Sequence, residues 1–147
     1  MDTTLHVKRL DPRAQLPAYQ TPGSAAMDLA ALLDQPLTLD PGERSFVPTG
    51  LAIALPDSGW VALLLPRSGL SIRHGITRSN SVGVIDSDYR GEIRVGLWNT
   101  SQAPYTIQPG DRVAQLMVLP VGLAQVVERE ELPETQRGAG GFGSTGR

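Results

Sequence analysis

Gln108-Pro-Gly-Asp-Arg112 lies between two apolar stretches, Tyr105–Ile107 and Val113–Leu119. Proline followed by glycine suits positions i+1 and i+2 of a type II turn, where proline presets φ and glycine accepts a positive φ. The pattern has a second copy, Asp40-Pro-Gly-Glu-Arg44, between Leu37–Leu39 and Ser45–Val47. Both copies read as hairpin turns, and the pair suggests stacked β layers. Working outward, Leu5–Leu10, Gly23–Ala31, Leu51–Leu55, Trp60–Leu65 and Glu92–Asn99 read as further short strands, with Pro56-Asp-Ser-Gly59 marking a turn. Asp11–Gly23 carries three prolines and reads as an irregular connection. No long stretch has helical periodicity. Ser68 or a neighbour is expected to cap one short helix that runs through Arg73. The fold class is therefore all-β, a distorted jelly roll or sandwich of short, mostly antiparallel strands with one short helix.

Composition narrows the function. The 147 residues suffice for one domain with a real core. The formal charge of −2 gives no basic excess that would call for nucleic acid. Twelve of the thirteen basic residues are arginine, Lys8 being the exception, and arginine is the better bidentate partner for phosphate. With no cysteine and only His6 and His74, a thiolate site or a multi-histidine metal site is not expected. No signal-like N-terminus or apolar run of about 20 residues is present, so a soluble cytoplasmic protein without a membrane partner is the expectation.

Several stretches carry candidate chemistry. Gly83-Val-Ile-Asp-Ser-Asp-Tyr-Arg-Gly91 reads as a strand end and hairpin tip leading back into Glu92–Trp98. Such a tip holds a carboxylate and a ring on a rigid frame, although loop acids are commonly only solvated. Arg67-Ser68-Gly69 opens the short helix and is either an anion site or a plain connection. Asn80 either ends a strand or reads a ligand's donor and acceptor edge. Trp98 lies opposite the Ile93, Val95 and Leu97 face of its strand. Gln115 is the polar residue in an otherwise apolar strand, so a partner subunit is expected to cover one face of that strand. Asp28 is the charge in a small-residue run. The Gly-rich end, Arg137 to Gly146, reads either as a disordered tail or as a flap in which Arg137 meets phosphate and Phe142 stacks on a base.

Taken together, Gly23–Ala31, Pro66–Ser71, Gly83–Ile93, Gly110–Val118 and Arg137–Gly146 resemble, in order and spacing, the five motifs of the homotrimeric dUTP diphosphatases (dUTPases) of bacterial type. Leu10-Asp-Pro-Arg13 and Val47-Pro-Thr-Gly-Leu-Ala52 extend the likeness over nearly the whole chain. The resemblance implies these roles. Asp86 orients and deprotonates the attacking water. Tyr89 packs on the deoxyribose and excludes a 2′-hydroxyl. Asn80 and the backbone of Val84, Ile85 and Asp86 read the uracil edge. Arg67, Ser68 and Gly69 hold phosphates with help from Gln115. Arg94 makes a backbone contact, its side chain departing from the bacterial pattern, as does Ser79 beside Asn80. Arg137 clamps the terminal phosphate, Phe142 covers the base with Gly143 beside it, and Asp28 supports a Mg2+ ion through water.

The resemblance further implies hydrolysis of dUTP to dUMP and pyrophosphate, supplying dUMP for thymidylate synthesis and keeping uracil out of DNA. It implies a homotrimer with shared active sites, in which residues 1–136 form the β domain and residues 137–147 form an arm closing over a site on another subunit. The chemistry suits these residue types, since the substrate's charge must be offset before a water attacks the α-phosphorus. A dCTP deaminase of the same fold is disfavoured by Arg67-Ser68-Gly69 and by Asp86 with Tyr89. A non-catalytic nucleotide-binding relative is disfavoured by candidate residues in all five motifs.

Overall fold

A computed structural model describes residues 3–141. Among these residues eleven strands and one helix follow in order: β1 His6–Arg9, β2 Met27–Ala30, β3 Leu37–Leu39, β4 Arg44–Pro48, β5 Leu51–Ala54, β6 Trp60–Leu65, α1 Ser68–His74, β7 Ile76–Arg78, β8 Gly83–Ile85, β9 Arg94–Asn99, β10 Tyr105–Ile107 and β11 Arg112–Pro120. Every strand pairing is antiparallel. The all-β expectation holds, β1 and β2 fall within the stretches read for them, and α1 runs one residue past Arg73, to His74. The strand in Gly23–Ala31 starts only at Met27.

Both Pro-Gly turns form with the expected glycine geometry, φ +82° at Gly42 and +84° at Gly110. Glu43 N–H donates to the Asp40 carbonyl at 2.9 Å, and Asp111 N–H to the Gln108 carbonyl at 3.0 Å. In each turn the acid also accepts from the first residue's N–H, Glu43 Oε2 from Asp40 and Asp111 Oδ2 from Gln108, both at 2.8 Å.

The hairpin expectation fails, however. β3 pairs with β10, β4 with β9, and β11 with β2 and β6, so each turn is a corner that carries the chain from one sheet to another. The same correction applies at Gly83–Gly91. β8 pairs with β6, whereas β9 lies between β4 and β7. Turn chemistry is local, but strand partners are set by which faces must be buried together.

The sheets are β2-β11-β6-β8, β4-β9-β7, β1-β5 and β3-β10. Alternation along the strands sends Leu29, Leu51, Leu97, Ile107 and Leu116 fully inward. Each such side chain contributes roughly 1.5–3 kcal/mol of burial free energy. Trp98 is half-buried, with the Arg44 guanidinium 4.6 Å from its ring centroid.

Among the described residues four polar side chains enter this interior: Asp28, Thr49, Arg78 and Asn99. Asn99 is satisfied, donating to the Leu39 and Ala103 carbonyls at 2.9 and 2.8 Å while its Oδ1 accepts from Ser101. Thr49 Oγ1 donates to the Ile93 carbonyl at 2.6 Å. The other two belong to the clusters described next. No helix of the described residues is long and apolar enough to cross a membrane.

Candidate active site

The loop after β8 is built from short-range contacts. Tyr89 N–H closes a turn onto the Asp86 carbonyl at 3.2 Å. The Tyr89 hydroxyl donates to the Glu92 carbonyl at 3.0 Å, which folds the ring over Gly91. A Cβ at Gly91 would sit 2.6 Å from Tyr89 Cζ, so any larger residue here would push the ring aside. Arg90 braces the turn through the Ser87 and Tyr89 carbonyls at 2.8 and 2.9 Å.

The loop is pinned to the body at its far end. Glu92 Oε1 accepts from Gly50 N–H at 2.9 Å, and Ile93 N–H donates to the Leu51 carbonyl at 2.7 Å. Asp86 and Tyr89 thus stand exposed on a fixed frame.

This frame borders a cavity of about 210 Å³, whose wall includes Asn80, Val84, Ile85, Asp86, Tyr89 and Arg94. Six of the expected site residues therefore meet in one place. The Arg94 guanidinium lies 4.7 Å from the Phe46 ring centroid, which occupies its side chain in a cation–π contact. Arg78, Gly83, Glu92, Leu64 and Ile93 complete the wall.

The second cluster comes from distant parts of the chain. Gln115 on β11 sits opposite Asp28 on β2 and opposite Leu65 on β6. A register shift between Arg112 and Ala114 marks a bulge just before it. The Asp28 side chain is 6% exposed, with Arg67 Nε 3.3 Å from Oδ1 and Arg112 Nη1 2.9 Å from Oδ2. Arg67 Nη1 also donates to the Arg112 carbonyl at 2.9 Å, while its buried Nε has no hydrogen-bond partner among the described residues.

Arg67 and Arg112 border a separate cavity of about 180 Å³ with Tyr105 and Asp111. Burial, with Asp111 adding and Arg67 opposing, pushes the Tyr105 hydroxyl above its usual pKa. Ser68 and Gly69 are exposed in the first turn of α1, where backbone N–H groups lack intrahelical partners. The N-cap is Arg67, with extended backbone and no side-chain cap bond, rather than Ser68 or another polar neighbour acting through its side chain. Ser71 Oγ instead donates back to the Arg67 carbonyl at 3.1 Å.

Arg137 is exposed, its Nε donating to the Gly140 carbonyl at 2.9 Å, and it borders neither cavity. Phe142 and Gly143 lie outside the described residues. Sequence reasoning missed Arg78, Thr49, Glu92 and Arg112. For Arg78 a signal existed: in Ile76-Thr77-Arg78 it shares the inward parity of Ile76.

Comparison with known proteins agrees with the motif order. The family model described as dUTPase matches residues 12–146. The deoxyuridine 5′-triphosphate nucleotidohydrolase of Aeromonas hydrophila is 53% identical over 151 residues, covering 100% of this chain and 99% of the relative. The dUTPase of Staphylococcus bacteriophage 80alpha, solved with dUPNHPP, superposes with a TM-score of 0.88 at 27% identity, covering 98% of this chain and 99% of that one. A dUTPase of the S. aureus phage phi11, in which a structural Mg(II) ion is coordinated, shares the fold with a TM-score of 0.80 at 24% identity, covering 89% of this chain and 99% of that one. A family match that runs through every one of the five motif segments, together with a relative sharing half its residues end to end, places this chain in the dUTPase family.

Proposed function

We infer that the chain hydrolyses dUTP to dUMP and pyrophosphate, with uracil and deoxyribose in the cavity bordered by Asn80, Asp86 and Tyr89. The observation that carries the reading is this convergence. A carboxylate, a fixed ring and an amide face one small cavity in a chain 53% identical to a deoxyuridine 5′-triphosphate nucleotidohydrolase. Tyr89, held by Glu92 and seated on Gly91, offers a flat wall to the sugar and leaves no slack for a 2′-hydroxyl. Asn80 and the backbone of Val84, Ile85 and Asp86 supply the polar edge for the base.

Asp86 takes a proton from the attacking water. As the water oxygen bonds to the α-phosphorus, the bond from that phosphorus to the oxygen bridging to the β-phosphate breaks, and pyrophosphate leaves with the electron pair. Positioning and charge neutralisation supply most of the acceleration. Arg67 and the first-turn amides of Ser68 and Gly69 are cations and donors for phosphate oxygens, with Gln115 beside them. Arg94 contributes backbone only, because its guanidinium is engaged by Phe46.

Among the described residues no group of three His, Cys, Asp or Glu gathers. The Asp28 carboxylate offers the hard oxygen donors that Mg2+ would take beside substrate phosphates and water. Asp28, with both oxygens already facing arginines, retains lone pairs to reach such an ion through water. Bound there, the ion would lower the charge of the triphosphate.

The active enzyme in this reading is a homotrimer whose sites combine residues of more than one chain. Two facts support it. Arg67 and Asp86 border different cavities of one chain. Residues 121–132, which form no strand, expose Val126 at 93% and Leu132 at 82%. Residues 137–147 then form the arm that closes over a neighbour's site, Arg137 clamping the terminal phosphate and Phe142 and Gly143 covering the base.

Pyrophosphate release from dUTP, dCTP, dTTP and UTP, with and without Mg2+, tests the reading. The expected result is Mg2+-stimulated turnover with dUTP preferred by at least about 100-fold, the margin that several matched polar contacts provide. Equal rates on all four would refute it, and ammonia release from dCTP would point to deamination.

A further inference from the structure

The base cavity contains a cation that the catalytic reading leaves unused. Arg78, 4% exposed, ends β7 and enters the cavity wall beneath Gly83. A Cβ at Gly83 would sit 2.6 Å from Arg78 Nη2, so the missing side chain is what admits the guanidinium. Nη2 donates to Asn80 Oδ1 at 2.9 Å. Nε and Nη1 are buried with no hydrogen-bond partner among the described residues. Burial alone pulls the guanidinium below its ordinary pKa, as expected for a cation without a counter-charge.

The orientation of Asn80 follows from chemistry. Arginine carries only donors, so the amide atom facing it must be the carbonyl oxygen. The Nδ2 hydrogens are then left for the cavity. The backbone reinforces this arrangement. Ser81 N–H closes a turn onto the Arg78 carbonyl at 3.2 Å, and Ser81, at φ +59°, is the one non-glycine residue with positive φ among the described residues. Asn80 is therefore held from both sides, by its neighbour's strained backbone and by the arginine's donor.

We propose that Arg78 is a specificity-determining positioning residue: by fixing Asn80 with its amide donors toward the ligand, it makes the cavity read a pyrimidine carbonyl and reject an exocyclic amine. The proposal rests on the base-reading role given to Asn80 above. The charge-assisted bond strengthens the remaining Asn80 donors, so the part of the wall that Asn80 forms is a donor edge. Uracil offers such an edge two carbonyl oxygens. Cytosine offers an amine where one of them would be, so donor would meet donor.

The test is titration calorimetry with dUMP and dCMP, alongside steady-state turnover of dUTP, on the unaltered chain and on Arg78→Met, which keeps volume but removes the donors. The expected result is a dUMP Kd raised about 10-fold, a dCMP Kd changed by less than about 3-fold, and kcat within about 3-fold of the unaltered chain, the pattern of a lost hydrogen-bond orientation rather than a lost catalytic group. Arg78→Lys, which keeps a donor, restores part of the selectivity. On an Asn80→Ala background, Arg78→Met changes dUMP binding by less than about 2-fold, because the two residues act as one unit.

A folded Arg78→Met with unchanged dUMP-to-dCMP selectivity would overturn the proposal, as would equal losses on both backgrounds. If Arg78→Met does not fold, Arg78→Leu carries the same test, since leucine also lacks any donor for Asn80 Oδ1: reduced selectivity supports the proposal and unaltered selectivity overturns it. An unaltered chain that releases no pyrophosphate from dUTP would refute the functional reading and the proposal together, whereas dUTP turnover with unaltered Arg78→Met selectivity removes the proposal alone.

Discussion

The two candidate clusters are built in opposite ways. Most of the base cavity wall comes from one run, Arg78 to Arg94, closed by backbone turns and by Tyr89 bonding three residues along the chain. The arginine cluster joins Asp28, Arg67 and Arg112, and its Arg112–Asp28 bond spans 84 positions of sequence. One is held by local geometry, the other by charge between two strands and the start of the helix. A local cluster tolerates loss of one member and keeps its shape. A charge cluster does not, because removing one partner leaves the others unpaired in a half-buried setting.

The sharpest test of this contrast is Asp86→Asn. Its side chain is exposed and makes no contact that holds the loop, so binding of dUMP and the melting temperature should stay near those of the unaltered chain. Turnover should fall by at least about 100-fold, the contribution of a positioned base. Near-normal turnover in a pyrophosphate assay would remove Asp86 from that role.

Asp28→Asn should behave in the opposite manner. Arg67 and Arg112 would lose their shared counter-charge, and chemical denaturation should show a loss of roughly 1–3 kcal/mol, reduced from the value for a fully buried pair because Arg112 is solvated. A variant as stable as the unaltered chain would show that the clamp is idle.

Gly91→Ala probes the local cluster at its tightest point. The added methyl displaces the Tyr89 ring at an overpacking cost of about 1–2 kcal/mol. Discrimination between dUTP and UTP should narrow while the fold survives. Unchanged discrimination would mean the ring has other support.

The contrast also explains what the sequence made legible. Asp86 and Tyr89 are three residues apart in a turn whose residues declare themselves, so their joint placement followed from local chemistry. The Pro-Gly turns were legible for the same reason, down to the positive φ at Gly42 and Gly110. What joins across the sheets was not. Both turns read as hairpins because nothing local distinguishes a hairpin from a corner between sheets. Arg112 has no local mark of its tie to Asp28, since a bulge in β11 intervenes. Arg78 was not singled out, because a three-residue strand is too short for its alternation to mark an inward charge. The N-cap is Ser68's neighbour Arg67, whose side chain makes no cap bond, so the expected side-chain cap does not form.

The twin corners have a consequence for how the chain can change length. In each, the glycine N–H donates to the carbonyl of a residue at or just past a strand end, Asn99 or Ala31, and that residue's N–H returns a bond to the carbonyl of the turn's acid, Glu43 or Asp111. Together with the turn bond and the carboxylate bond, four hydrogen bonds close each corner. One extra residue would break the register of all four at once, and in the second corner it would also move Arg112 away from Asp28. These two tips, although they lie between strands where loops are ordinarily free to grow, are fixed joints, and tolerated insertions belong elsewhere in the chain.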